Sequence, residues 1–172
     1  MLEQNSLQKQ FVESYDELSE VIFRHCFFRV SNREVALDLT QDSFAKTWQY
    51  LHKGNDIEDV KAFVYRVANN LVIDYYRKKK SSSLDALTDS EESPLQPTDD
   101  SHEQIVHAAE VGRVTKVLQK VEEPYRQAVT LRHIDGLSPK EIAELTGETA
   151  NTVSVRINRG LEKLQQLMQE HE

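Results

Sequence analysis

Near the C-terminus of the chain, three polar side chains that can form hydrogen bonds fall on one side of a predicted helix: Ser154, Asn158 and Arg159. The other side is apolar and repeats at helical spacing, through Val153, Ile157, Leu161 and Leu164. Arginine can make two hydrogen bonds to guanine and asparagine can make two to adenine, so these side-chain types can distinguish base pairs in a major groove. The pattern predicts a DNA-contacting helix, and a helical hairpin with an ordinary solvated face is the alternative.

The residues before this helix form the element that would hold it in place. Ser138 is a typical helix N-cap, Pro139 suits the first helical position, and Glu141 completes a capping box. Apolar residues at helical spacing follow, and the Thr-Gly pair at 146–147 interrupts them. Two short helices joined by such a turn are typical of the helix-turn-helix of DNA-binding proteins.

The composition of the chain is that of a soluble helical protein of one or two small domains. Among 172 residues, 38% are hydrophobic and 29% are charged, and no apolar run approaches the ~20 residues of a membrane span. The N-terminus lacks the basic-then-apolar order of a signal peptide, so we expect a cytoplasmic protein without membrane insertion. Cys26 is the one cysteine, which excludes an intramolecular disulfide, and its apolar neighbours predict a buried core thiol.

The net charge of −8 is distributed unevenly along the chain. Residues 81–103 carry seven acidic side chains and no basic one, and they are rich in serine, so this segment is predicted to be a flexible acidic linker. Helical patterns on either side predict an all-α protein with two small domains, residues 1–80 and residues 104–172, the second of which contains the helix-turn-helix.

Three helical patterns are predicted in the first domain. The second of them runs from about Arg33 to His52, with Leu37 and Phe44 on its apolar side and Gly54 as a C-cap. The third begins near an N-cap at Asp56. The first starts at Phe11 and ends at the Ser-Asn pair 31–32.

The third helix carries a second polar stripe. Arg66, Asn70 and Asp74 recur at i, i+4 and i+8, and the helix then continues into the basic run at 77–80. Such a stripe can follow one strand of DNA, while cations at its end can hold phosphates. A network within the helix joining Arg66 to Asp74, and a merely solvated helix end, are the alternatives.

Taken in this order, the motifs resemble those of an extracytoplasmic-function sigma factor, the small two-domain specificity subunit of bacterial RNA polymerase in the sigma-70 family. The acidic-Gln-acidic-aromatic series at 38–48 resembles the helix with which that family binds core polymerase. The series at 63–77 resembles the helix that recognises the minus-ten promoter element, and residues 118–164 resemble the reader of the minus-thirty-five element.

The resemblance implies a role for each motif residue. Those expected to bind core polymerase are Asp38, Gln41, Asp42, Phe44 and Trp48. Those expected at the minus-ten element are Arg66, Asn70, Asp74, Arg77, Lys78, Lys79 and Lys80, with the loop at 52–58 forming the pocket for an extruded base. Those expected at the minus-thirty-five element are Thr152, Ser154, Val155, Arg156, Asn158 and Arg159, of which Thr152 and Arg156 suit phosphates. Val155 and Gly160 depart from the common family pattern and predict weaker or altered sequence preference.

The function expected from this resemblance is transcription initiation, with core RNA polymerase, promoter DNA and an anti-sigma factor as partners. The acidic linker is expected to thread the basic channel of the polymerase. No cofactor, metal or enzymatic activity is predicted, because a glycine-rich phosphate loop, paired zinc-spaced cysteines and a nucleophile with an evident base are all missing from the sequence. A stand-alone helix-turn-helix regulator and a helical adaptor that binds polymerase without DNA are the alternatives.

Overall fold

A computed structural model describes residues 2–82 and 102–170, and side chains are described for residues 8–82 and 109–170. The only regular secondary structure among these residues is α-helix, as predicted. The helices are α1 (Leu2–Val30), α2 (Arg33–His52), α3 (Val60–Ser82), α4 (His102–Gln119), α5 (Glu123–His133), α6 (Pro139–Thr146) and α7 (Ala150–Gln169). None of the helices in this part of the chain is long and apolar enough to cross a membrane.

The described residues fall into two compact units. The first comprises residues 2–26 and 34–82, and the second comprises residues 27–33 and 102–170. The predicted domain boundaries at 80 and 104 lie in the last turn of α3 and the first turn of α4. Residues 83–101, most of the predicted acidic linker, lie outside the described residues.

In the first unit, α1 to α3 enclose a small apolar core that includes Ile22, Cys26, Phe44 and Val64. Cys26 is fully buried, which confirms the prediction of a core thiol. A buried thiol acts here as a small hydrophobic side chain that fills space between helices.

The buried side of α2 is more polar than the sequence pattern indicated. Thr40, Ser43 and Thr47 are buried, and each hydroxyl donates to the backbone carbonyl four residues earlier, at 2.7, 2.6 and 2.8 Å. These bonds satisfy the hydroxyls within the helix, so small polar side chains can face the core. The predicted apolar side of α2 was therefore partly wrong, since Leu37 is 40% exposed.

The start of α3 was also placed wrongly. Asp59 rather than Asp56 caps the helix, because the Oδ1 of Asp59 accepts from the backbone N–H of Ala62 at 2.9 Å, which satisfies a donor that the first turn leaves open. Residues 55–59 consequently form a loop between α2 and α3. Gly54 has a φ of +83°, which agrees with its predicted role in ending α2.

In the second unit, α7 packs on α4, α5 and α6. The predicted capping box of α6 is present, with Glu141 N donating to Ser138 Oγ at 3.2 Å and Ser138 N donating to the Glu141 carboxylate at 2.7 Å. Gly147 ends α6 in the left-handed region with a φ of 74°. A shared core fixes the two helices of the motif against α5, and its buried members are Ala128, Leu131, Ile142, Val153 and Ile157.

The buried side of α7 continues through Gly160 rather than Leu161, which is 37% exposed. A helix turns by about 100° per residue, so a stripe that starts at Val153 and Ile157 returns at position 160. A Cβ at Gly160 would lie 2.5 Å from Val129 Cγ2 and 3.0 Å from the Tyr125 carbonyl oxygen. The absence of a side chain therefore lets α7 approach α5 closely.

Candidate nucleic-acid interface

The outward side of α7 presents the predicted reading residues to solvent. Asn158 and Arg159 are exposed, and Val155, which lies between the buried Val153 and Ile157 in the sequence, is 40% exposed. Among the residues that the structure describes, no carboxylate forms an ion pair with Arg159, so its guanidinium remains available to an acceptor. Ser154 is half-buried and its hydroxyl donates to the Ala150 carbonyl at 2.9 Å, which leaves its oxygen able to accept.

The first turn of α7 is fixed by two threonines. Thr149 caps the helix by accepting from the Thr152 backbone N–H at 3.1 Å, and the two hydroxyls lie 2.9 Å apart. Thr152 is half-buried beside this cap. Its side chain is therefore held at the end of the helix where backbone N–H groups and the positive end of the dipole favour an anion such as phosphate.

Arg156 is tied to the turn before its own helix. Its Nη1 donates to Glu148 Oε2 at 2.6 Å, and the two side chains are only 31% and 27% exposed. This ion pair was not predicted from the sequence. Contact between Arg156 and phosphate stays a prediction. The guanidinium that would make this contact already has one carboxylate partner, Glu148.

An open cleft of about 510 Å³ runs beside α7 and reveals residues that the sequence analysis missed. It is lined by Glu122, Pro124, Tyr125, Asn151, Thr152, Val155, Arg156 and Arg159. Asn151 is exposed and lies one turn before Val155, a spacing that could have identified it. On the α5 side, Lys163 Nζ contacts Glu122 at 2.8 Å and lies 4.7 Å from the centre of the Tyr125 ring.

The polar stripe of α3 lies on the surface of the first unit. Arg66 and Asn70 are exposed, as are all four residues of the basic run 77–80. Asp74 accepts from Arg77 at 2.8 Å, so the structure pairs this aspartate with the basic run and not with Arg66. The alternative of an Arg66–Asp74 network is therefore wrong.

A pocket of about 310 Å³ joins the start of α3 to the loop at 55–59, within the size range of small-ligand sites. It is lined by Tyr50, Asp56, Ile57, Glu58, Asp59, Ala62, Phe63 and Arg66. The rings of Tyr50 and Phe63 are 4.8 Å apart and tilted by 35°, and Tyr50 is 40% exposed. The loop was predicted from the sequence, but this aromatic pair was not.

The predicted polymerase-binding residues of α2 divide into an exposed set and a supporting set. Asp38, Gln41 and Asp42 are exposed. Phe44 is 3% exposed and its ring lies 4.8 Å from that of Tyr15. The half-buried Trp48 lies 5.0 Å from Phe11. The polar trio can meet a partner, while the aromatic residues fix the helix from behind.

Two family models match separate parts of the chain. The model described as Sigma-70 region 2 matches residues 15–82, and the model described as Sigma-70, region 4 matches residues 112–164. The chain belongs to the extracytoplasmic-function group of the sigma-70 family. This sigma factor acts in transcription initiation, as the resemblance implied.

Individual relatives agree with this assignment. The sigma factor is 28% identical to RNA polymerase sigma factor SigZ of Bacillus subtilis over 155 residues, which cover 90% of this chain and 85% of that protein. It is 28% identical to the ECF RNA polymerase sigma factor SigW of the same organism, covering 95% and 91% of the two chains. The fold is similar to that of sigma factor RpoE from Bartonella quintana, solved in complex with the anti-sigma factor NepR, with a TM-score of 0.72, 21% identity and coverage of 94% and 98%.

Proposed function

We propose that this sigma factor binds core RNA polymerase through the exposed side of α2, captures an unpaired base of the minus-ten element beside α3, and contacts the minus-thirty-five element with α7. The observation that carries the proposal is the division of α7 into a side buried against its own unit, through Val153 and Ile157, and a side that presents Asn158 and Arg159 to solvent. A helix held in this way can enter a major groove without losing its packing. The protein supplies no covalent chemistry in this scheme, and it works in the cytoplasm.

Promoter opening is proposed to depend on the pocket beside α3. Extruding a base costs a few kcal/mol in lost stacking and pairing, so the pocket must return a similar free energy. The exposed ring of Tyr50 offers a stacking surface beside Phe63, and stacking on an aromatic side chain contributes about 1–3 kcal/mol per base. Arg66 lines the same pocket, and the exposed amide of Asn70 lies one helical turn further along α3.

The basic run after this pocket is proposed to hold the sugar-phosphate backbone. Arg77 and the lysines at 78–80 are exposed at the end of α3, where cations also complement the negative end of the helix dipole. Phosphate contacts of this kind set position and contribute affinity without distinguishing sequences.

Binding to polymerase is proposed to involve the trio Asp38, Gln41 and Asp42. Two carboxylates and an amide on one exposed stretch of helix suit a basic, amide-bearing partner surface. The buried ring of Phe44 keeps this stretch fixed, so that the carboxylates are presented on a rigid element.

The acidic segment 81–103 and an anti-sigma partner complete the proposal. The seven carboxylates of the acidic segment suit a basic polymerase channel, and their negative charge disfavours binding of the free chain to DNA. A likeness to a sigma factor solved with an anti-sigma factor supports a partner of that kind for this chain.

The test is reconstitution with purified core RNA polymerase that lacks any other sigma factor. We expect the chain to be retained by the polymerase, and the assembled holoenzyme to select DNA with two common sequence blocks from a randomised library and to transcribe it from defined starts. DNA binding without retention by polymerase would support a stand-alone regulator, and retention without new transcription would support an adaptor. Tight, salt-insensitive promoter binding by the free chain would contradict the role assigned to the acidic segment.

A further inference from the structure

The exposed side of α7 has an apolar residue at its centre. At about 100° per residue, Asn151, Thr152, Asn158 and Arg159 all lie within roughly 60° of Val155 around the helix axis, while Ser154 and Arg156 lie on the two flanks. Val153, Ile157 and Gly160 lie on the opposite side and are buried. Val155 therefore points away from the core of its unit, as does the exposed Glu162 about two turns later.

An isolated exposed hydrophobic residue needs no special explanation, so the surroundings of Val155 decide its significance. The other apolar side chains of the same stretch, Val153 and Ile157, are only 1% and 7% exposed, while Val155 is 40% exposed. Its neighbours on the open side of α7 carry hydrogen-bonding groups, and the cleft that it lines together with Arg159 also includes Pro124 and Tyr125 of α5. An aliphatic side chain at this position can contact an apolar group of a ligand, which hydrogen-bonding side chains do not recognise.

The major groove offers one apolar group to such a side chain. Each base pair presents donors and acceptors there, and only thymine adds a C5-methyl group. Valine is stiff at χ1 in a helix, so its two γ-methyl groups are held in place before contact. On the basis of the proposed function, we propose that Val155 recognises the C5-methyl group of one thymine in the minus-thirty-five element.

The size of the effect follows from the area removed from water. Burial of one methyl group against an aliphatic side chain corresponds to about a fourfold change in affinity. Valine cannot replace hydrogen bonds made by Asn158 or Arg159, so Val155 is expected to add discrimination at one base pair and to leave the readout at neighbouring pairs unchanged.

The test uses the holoenzyme and its selected promoter, with deoxyuridine replacing each thymine of the minus-thirty-five element in turn, on either strand. Deoxyuridine removes the methyl group and keeps the hydrogen bonds of the pair. We expect one position at which the wild type binds the uracil promoter about fourfold more weakly than the thymine promoter. The Val155→Ala holoenzyme should bind the two promoters equally, so that side chain and methyl group are coupled in a double-mutant cycle.

Val114→Ala is the matched control, because Val114 is 37% exposed on α4 of the same unit and is not among the residues that line the cleft beside α7. This variant should retain the full difference in affinity between the thymine promoter and the uracil promoter. Equal binding of thymine and uracil promoters by the wild type, an unchanged difference in Val155→Ala, or a selected element without any A·T pair would each overturn the assignment. If the wild-type holoenzyme selects no promoter, the proposed function fails and the assignment fails with it, whereas selective binding without a methyl effect overturns the assignment alone.

Discussion

Glu148 in the turn of the helix-turn-helix accepts a hydrogen bond from the guanidinium of Arg156, eight residues later on α7, at 2.6 Å. Both side chains are about two-thirds or more shielded from solvent, so the pair is less screened than a surface ion pair. It braces α7 against the turn and also brings an acid close to a residue that is predicted to approach phosphate.

Replacement of the two partners of this pair should affect DNA binding differently. Replacement of either residue, as Arg156→Ala or Glu148→Gln, is expected to lower the free energy of unfolding by about 1 kcal/mol. Arg156→Ala should also weaken binding of the holoenzyme to all promoters. The slope of log affinity against log salt concentration should fall by about one, which corresponds to the loss of one phosphate contact. Glu148→Gln should leave promoter affinity unchanged or raise it, because the cation remains and a nearby negative charge is lost. Equal losses of affinity in both variants, measured by salt titration of binding, would show that Arg156 acts only as a brace.

Gly160 is expected to tolerate no side chain. A Cβ would meet Val129 at 2.5 Å and the Tyr125 carbonyl at 3.0 Å, so Gly160→Ala should lower the free energy of unfolding of the second unit by about 1–3 kcal/mol, despite the higher helix propensity of alanine. Gly112 on α4 is a matched control, because a Cβ there has nothing within 4 Å. Gly112→Ala should be neutral or stabilise by up to about 1 kcal/mol. Urea denaturation of the two variants measures the difference, and similar stabilities would contradict the close packing of α7 on α5.

Short-range signals in the sequence located most helix ends. The capping box of Ser138 and Glu141 and the left-handed Gly147 depend on residues within a few positions of each other, and they define α6 as predicted. The bounds of α2 also agree with the prediction, because breaking residues flank it on both sides. Local backbone chemistry is sufficient at these places.

Tertiary packing decided the features that the sequence analysis missed. Leu37 was assigned to the apolar side of α2, but buried hydroxyls such as Thr40 and Thr47 occupy the core because their own backbone satisfies them. The aromatic pair of Tyr50 and Phe63 in the candidate base pocket joins two helices across a loop. Hydrophobic periodicity within one helix contains no information about such partners.

The exposed carboxylate of Asp42 is expected to be required for binding to core polymerase. Asp42→Asn keeps the size of the side chain and removes its charge, so retention by polymerase should fall severalfold while helix content stays unchanged. Asp16→Asn, at an exposed aspartate on α1, is the control and should leave retention unchanged. Direct binding titrations compare the two, and equal affinities would remove Asp42 from the interface.

Tyr50 is expected to act during promoter opening and not in initial binding. Tyr50→Ala removes the exposed stacking surface of the pocket, which should make promoter opening less favourable by about 1–3 kcal/mol, or about five- to 150-fold, while binding to duplex promoter changes little. Chemical reactivity of unpaired thymines measures the open fraction. A promoter with a mismatched, already unpaired minus-ten region should restore much of the activity, because the cost of unpairing has been removed. An equal defect on duplex and unpaired templates would indicate damage to the fold or to polymerase binding.

Arg159 and Lys79 are expected to contribute to promoter binding in different ways. Arg159 is exposed on α7 beside Asn158, and Arg159→Ala should cost about 1–3 kcal/mol of promoter binding and relax the preference at one base pair, because two hydrogen bonds to guanine are lost. Lys79 is exposed in the basic run at the end of α3. Lys79→Ala should weaken binding to all promoters alike and lower the slope of log affinity against log salt concentration by about one. Affinities of both holoenzymes are measured on the selected promoter and on its single-base-pair variants at several salt concentrations. If Arg159→Ala weakens matched and mismatched promoters equally, its guanidinium holds phosphate, and base recognition by α7 must come from its remaining exposed side chains.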